Sequence, residues 1–197
     1  MAAVLTAPLS RKRYNSWGAD PDEVSARLPG DELVPVPQLG YTRAITIEAP
    51  PGDVWQWLVQ IGQGRGGFYS YDGLENLLGC HIHSADEILA EHQVLSPGDV
   101  IHLAPEGAPE FRVHQVDPPT TLVLVSHGPG QNAAQRPGPV VTWQWVLRPL
   151  DSGRRTRLLV RQRLSCPRSQ RALWYLVEPV TFVMERRMLL GLRARAE

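Results

Sequence analysis

The chain has 197 residues, 43% of them hydrophobic and 20% charged, and its 20 basic and 20 acidic side chains leave a formal net charge of zero. These values describe one globular domain with a real core and exclude a disordered, highly charged chain. With no block of positive charge, nucleic-acid binding has no electrostatic footing, and no nucleic-acid partner is expected.

Residues 1–41 are rich in Pro, Asp and Glu, with Pro21, Pro29, Pro35 and Pro37 marking an extended arm. Trp17, Leu28, Leu33 and Val34 give that arm apolar points with which to pack on the body, residues 42–197. Ile45 and Ile47 alternate with Thr46 and Glu48, a short strand. Ala49-Pro50-Pro51 then opens a helix with Val54, Leu58 and Ile61 as its buried stripe, Trp57 beside it and Gly62 as its stop. Asp72 and Glu75 have capping-box spacing ahead of Leu74, Leu77 and Leu78, a second short helix ended by Gly79. Ser84 and Glu87 repeat the signal before a turn through Ile88 and Leu89.

From Gly98 the pattern changes to strands: Asp99 to Leu103, Phe111 to Val116 and Thr121 to Ser126. Gly128 to Pro139 reads as a long loop. Val140 to Leu147 and Thr156 to Leu164 read as a hairpin around Asp151-Ser152-Gly153. The last element is a long amphipathic helix, about Arg168 to Arg195, with Pro179 inside it as a kink. Leu173, Leu176, Val177, Val180, Met184 and Met188 recur at three- and four-residue steps and predict its buried face. Its most hydrophobic window is interrupted by Glu178, Glu185, Arg186 and Arg187, so no membrane span is expected. The start of the chain places apolar residues before Arg11-Lys12-Arg13, the reverse of a secretory signal, and a cytoplasmic location is the expectation.

This element order, with the segment Ala49-Pro50-Pro51-Gly52-Asp53-Val54-Trp55, the strands Thr142 to Trp145 and Thr156 to Val160, and the closing helix, resembles the START-like, or SRPBCC, superfamily. That group includes polyketide cyclases and dehydratases and lipid-transfer domains. The resemblance covers about residues 42 to 195. It implies an α+β helix-grip fold: a curved antiparallel sheet wrapped around the long C-terminal helix, short helices after the first strand, and a cavity between sheet and helix.

The functional expectation is binding of a small hydrophobic or aromatic molecule, lipid- or polyketide-like, in that cavity. The alternatives are a cyclase- or dehydratase-like enzyme acting in the same cavity, and a non-catalytic interaction module in which the Trp17 arm docks on itself or on a partner, with a homodimer as one outcome. The densest mixture of aromatic and polar groups is Phe68 to Asn76, where Phe68, Tyr69, Tyr71 and Asn76 are ligand-binding candidates. Trp57, Trp143 and Trp145 are candidate wall residues, as are Val177, Val180, Thr181 and Met184 of the helix. Three groups have the chemistry to move a proton: Glu75, otherwise a capping partner; His83, whose ordinary pKa lies near neutrality; and Glu178, read as helix surface with an inward, acid-bearing alternative.

Other motifs point elsewhere and are set aside. Gly62-Gln63-Gly64-Arg65-Gly66-Gly67 has the spacing of a dinucleotide-binding loop, but a helix precedes it where that fingerprint needs a strand. It reads as a loop, or as a lid at the pocket mouth. Cys80-His81-Ile82-His83 and Asp86 hold metal-ligating atoms without the spacing of a complete set, so neither a metal nor a cofactor is expected. Cys80 and Cys166 make no disulfide framework. Arg155, Arg157, Arg161 and Arg163 alternate along one strand and read as a solvated convex face.

Overall fold

The computed structural model describes residues 11–77, 79, 81–104, 110–127 and 139–197, apart from the side chains of Leu74 and Glu75. Its centre is one six-stranded antiparallel sheet: β1 (Leu39–Ile47), β2 (Val100–His102), β3 (Glu110–Asp117), β4 (Thr121–His127), β5 (Val140–Leu150) and β6 (Arg155–Ser165), in spatial order β1-β6-β5-β4-β3-β2. β1 starts earlier than its apolar alternation suggests, because Leu39 and Gly40 already pair with Leu164 and Arg163 of β6. The expected hairpin forms around Asp151–Gly153, where Asp151, Ser152 and Gly153 all take positive φ. Around the sheet lie α1 (helical over 11–15), α2 (Pro21–Ser25), α3 (Pro51–Val59), α4 (Asp72–Leu77) and the 26-residue α5 (Arg171–Ala196).

Side-chain alternation assigns the two sheet faces. Ile45, Ile47, Leu122, Leu124, Phe111, Val113, Trp143, Trp145, Leu158 and Val160 point to the concave side and pack in one cluster with α3 and the last turns of α5. α3 forms as its sequence dictates, with Pro51 in its first turn and Val54, Trp55, Leu58 and Val59 buried. It ends ahead of Gly62, whose φ of 129° an L side chain rarely adopts. Gly62 bridges back to Gly67, so the glycine-rich segment is a tight loop at a helix end. Gly191 lets α5 settle directly on the backbone of Tyr69; a Cβ there would collide with the Tyr69 carbonyl oxygen.

The convex side differs from the solvated face expected from its arginines. Residues 18–38 run across it. Arg161 is buried; its guanidinium meets Asp31 at 2.7 Å and donates to the carbonyls of Glu23, Val24 and Ala26. Arg157 pairs with Glu23, and Arg163 with Asp31 and the carbonyls of Val34 and Pro35. Only Arg155 keeps the surface role, beside Glu48 and Asp151. Ahead of this, the Trp17 carbonyl accepts from the Ala44 N–H at the open edge of β1. Gly18 follows with φ 71°, so close to the Ala44 carbonyl that no side chain fits.

α5 also departs from its expected face. Met188 is buried as expected and Val177 and Met184 are half-buried, but Leu173, Leu176 and Val180 are exposed, and Glu178, Glu185, Leu189 and Leu192 are buried beside Met188. The apolar count alone misplaces the N-terminal half of the stripe, because the inner face carries two carboxylates neutralised by arginines from elsewhere in the chain. Asp72 does not serve as the N-cap of a capping box. It lies within α4, and its carboxylate instead accepts from the Ser84 N–H and hydroxyl. The turn expected through Ile88 and Leu89 falls at Ala90–His92.

Candidate ligand-binding site

Between the concave sheet and the middle of α5 lies a cavity of about 280 Å³. This is at the lower edge of the roughly 300–1,000 Å³ typical of small-molecule sites. The sheet contributes Tyr41 from β1, Phe111 from β3, Trp143 from β5 and Gln162 from β6. α5 contributes Val180, Thr181, Met184, Glu185 and Met188, one strip of its inner and lateral surface. Phe68, Ser70, Ile82 and Leu103 close the remaining sides from loops. Phe111 stacks at 5.6 Å on Trp143, which in turn lies 5.0 Å from Trp145, so the aromatic wall is braced from behind.

One charged group sits in this apolar wall. Glu185 is 5% exposed and accepts three hydrogen bonds: from Tyr41 Oη at 2.5 Å, Trp143 Nε1 at 3.0 Å and Arg43 Nη1 at 2.6 Å. Arg43 is fully buried, lies over the Tyr41 ring and donates Nε to the Tyr14 carbonyl. A buried carboxylate without such partners would cost several kcal/mol, on the order of the penalty for any uncompensated buried ion. Burial and the neighbouring Glu185 charge push the Tyr41 phenol well above its ordinary pKa, so its hydroxyl keeps its proton. The result is a fixed polar corner in which Tyr41 and Glu185 face the cavity with acceptor lone pairs to spare. Gln162, on the same side, lines the cavity and makes no side-chain hydrogen bond among the described residues.

Glu178 lies two turns earlier on the same helix face and is buried as well, contrary to its reading as surface. Arg11 grips both its oxygens, at 2.6 and 2.8 Å, with Tyr14 and Asn15 at 3.5 Å. That hydrogen bond raises the Arg11 pKa, so its guanidinium stays charged. Glu178 borders a small neighbouring crevice with Val177 and Trp174.

The cavity therefore gathers five of the residues singled out in the sequence: Phe68, Trp143, Val180, Thr181 and Met184. Trp145 is core behind the wall. Tyr69 is buried against Trp57, donating to the Trp57 carbonyl, and burial pushes its phenol up to about 12. Tyr71 is exposed, and Asn76 bonds the backbone of Ile82 to hold the loop after α4. His83 is exposed and away from the cavity wall. The Glu75 side chain lies outside the described residues. Among the described residues, no cluster of His, Cys, Asp and Glu has the geometry of a metal site, and no helix is long and apolar enough to cross a membrane.

Tyr41, Arg43 and Glu185 were missed in the sequence, yet each left a signal. Tyr41 and Arg43 share strand parity with Ile45 and Ile47, which sets them on the buried side. Glu178 and Glu185 are the carboxylates of α5 and stand seven residues apart, on one face of the helix.

No family model and no curated protein matches the chain. Among solved structures, the hypothetical protein jhp0584 from Helicobacter pylori is 16% identical, with 88% of this chain and 96% of that one covered and a TM-score of 0.52. Ms6760 from Mycobacterium smegmatis is 16% identical over 79% of this chain and 89% of its own, with a TM-score of 0.49. CalU16 from Micromonospora echinospora is 12% identical over 80% and 83%, with a TM-score of 0.38. Similarity at this level is a matter of fold, and the six-stranded antiparallel sheet with its long closing helix is an α+β helix-grip fold.

Proposed function

We propose that the chain binds a small, mainly apolar molecule, aromatic or lipid-like, in the cavity beneath α5. One observation carries this reading: an apolar hollow walled by Phe68, Phe111 and Trp143 holds a single fixed polar corner at Tyr41, Glu185 and Gln162. Apolar walls bury the body of a guest, and a few placed polar groups orient its one polar end. A guest presenting a hydroxyl or N–H donor matches the acceptors of that corner. The Trp17 arm packs on Phe182 of its own chain, which favours a self-contained binder over an arm-mediated interaction module.

The test is a thermal-shift and native mass-spectrometry screen with small hydroxylated aromatics and short-chain lipids, run on the wild type and on Thr181→Phe, which fills the cavity. A fitting guest at about 100 times its Kd adds about 2.7 kcal/mol to stability. The wild type should show the shift and the filled variant should lose it. A panel that shifts neither protein, with nothing co-purifying, overturns the proposal.

A cyclase- or dehydratase-like enzyme is the second reading, and the position of Glu185 on the cavity wall favours it. Glu185 takes the proton-moving role there, since His83 faces solvent and Glu178 is held by Arg11. Turnover that survives Glu185→Gln in a folded variant rejects that role.

A further inference from the structure

The outward side of α5 is apolar where a solvent-facing helix is ordinarily polar. Leu173, Leu176, Val180 and Val183 are 60%, 74%, 59% and 48% exposed, and Ala172 and Pro179 are exposed beside them. Their three- and four-residue spacing makes them one stripe pointing away from the sheet. The acids within α5, Glu178 and Glu185, are turned inward and paired. Among the described residues, the exposed charges that flank the stripe along the chain are arginines: Arg168 ahead of it, and Arg186 and Arg187 beyond it. The stripe is also continuous with the cavity, because Val180 belongs to both and Thr181 and Met184 carry the wall inward.

We propose that this face docks on an anionic lipid surface, with α5 lying in the plane of the headgroups. Leu173, Leu176, Val180 and Val183 enter the boundary with the acyl chains, and the arginines meet headgroup phosphates and carboxylates. An apolar stripe edged by basic side chains binds such a surface by buried area and by charge together. A second copy of the chain fits less well. Across a twofold axis the stripe would bring Arg168 of one copy toward Arg186 and Arg187 of the other, with no exposed carboxylate on α5 to meet them. Docking in this orientation places the cavity wall against the lipid, so an apolar guest moves between bilayer and cavity without full hydration. That last consequence rests on the proposed ligand binding; the docking does not.

The experiment is co-sedimentation of the full chain with vesicles of phosphatidylcholine alone and of phosphatidylcholine mixed with phosphatidylserine. Binding is expected to the mixed vesicles, weakened by salt. Leu176→Glu and Val183→Glu should abolish it, and Arg186→Gln and Arg187→Gln should each lower partitioning about fivefold. Val36→Glu, at an exposed apolar residue of the arm, should leave it unchanged, as should the cavity-filling Thr181→Phe. All these positions except Thr181 are on the surface, and unaltered thermal unfolding confirms that the variants fold. Absence of binding to both vesicle types overturns the proposal, as does undiminished binding by Leu176→Glu. Self-association of the wild type that Leu176→Glu removes would assign the face to a second copy and overturn it too. Vesicle docking that persists when no guest binds the cavity separates this proposal from the previous one.

Discussion

The two faces of one sheet are finished in opposite ways. On the convex side, residues 18–38 lie over β1, β6 and β5, and Arg157, Arg161 and Arg163 fasten them through carboxylates and main-chain carbonyls. Small and aliphatic residues fill the space between, with Leu28, Ala44, Val146 and Leu159 in contact. On the concave side α5 covers the sheet without filling the space beneath it, and the ion pair of Arg43 with Glu185 ties its middle to β1. The same alternating strands supply both faces. The convex pairs hold a covering segment in place, whereas the concave pair fixes a polar corner in a hollow. A sheet face that is covered and filled serves stability, and one that is covered and hollow is open to a guest.

The largest expected effect strikes the convex fastening. Arg161→Met removes the nearer of the two arginines paired with buried Asp31 and strands the carbonyls of Glu23, Val24 and Ala26. Breaking a buried pair in this way costs about 3–5 kcal/mol, to be read by chemical denaturation. A loss under about 1 kcal/mol would mean that the arm contributes little to the fold.

A matched pair of truncations compares the faces directly. Leu159→Ala empties a filled convex site and should cost about 2–5 kcal/mol. Met184→Ala enlarges a hollow that already exists, so it loses contacts on one side only and should fall below that range. Equal losses at the two positions would show that the concave space is packed in solution.

The smallest effect is a pH dependence of the arm. Arg157 holds the Glu23 carboxyl below its ordinary pKa by hydrogen bonding. A lowered folded pKa stabilises the fold fully above the unfolded glutamate value, and that contribution is lost as pH falls through the folded value. Glu23→Gln should therefore flatten the acid limb of the stability profile and leave the neutral region nearly parallel to wild type. An acid limb identical in both proteins rejects Glu23 as its source.

Much of the architecture was legible because it depends on local signals. Pro50-Pro51 and Gly62 bracket α3, Asp151-Ser152-Gly153 turns the β5–β6 hairpin, and period-two alternation separates the strands. The site was half legible. Phe68, Trp143 and Met184 follow from composition and face, but two of the three partners of Glu185, Tyr41 and Arg43, lie more than 140 residues away in β1. A buried carboxylate reads as surface until the arginine that neutralises it is placed, and strand parity alone does not pair Arg43 with it. The same holds for Arg161, whose acceptors lie in an arm that carries no periodic pattern.

The contact of Gly191 with the Tyr69 main chain decides how closely α5 approaches the loop before α4. At that point helix and loop meet backbone to backbone, with no side chain between them to act as a bearing. The C-terminal turns of α5 therefore rest directly on the main chain of the loop, and any side chain at position 191 would force the two apart.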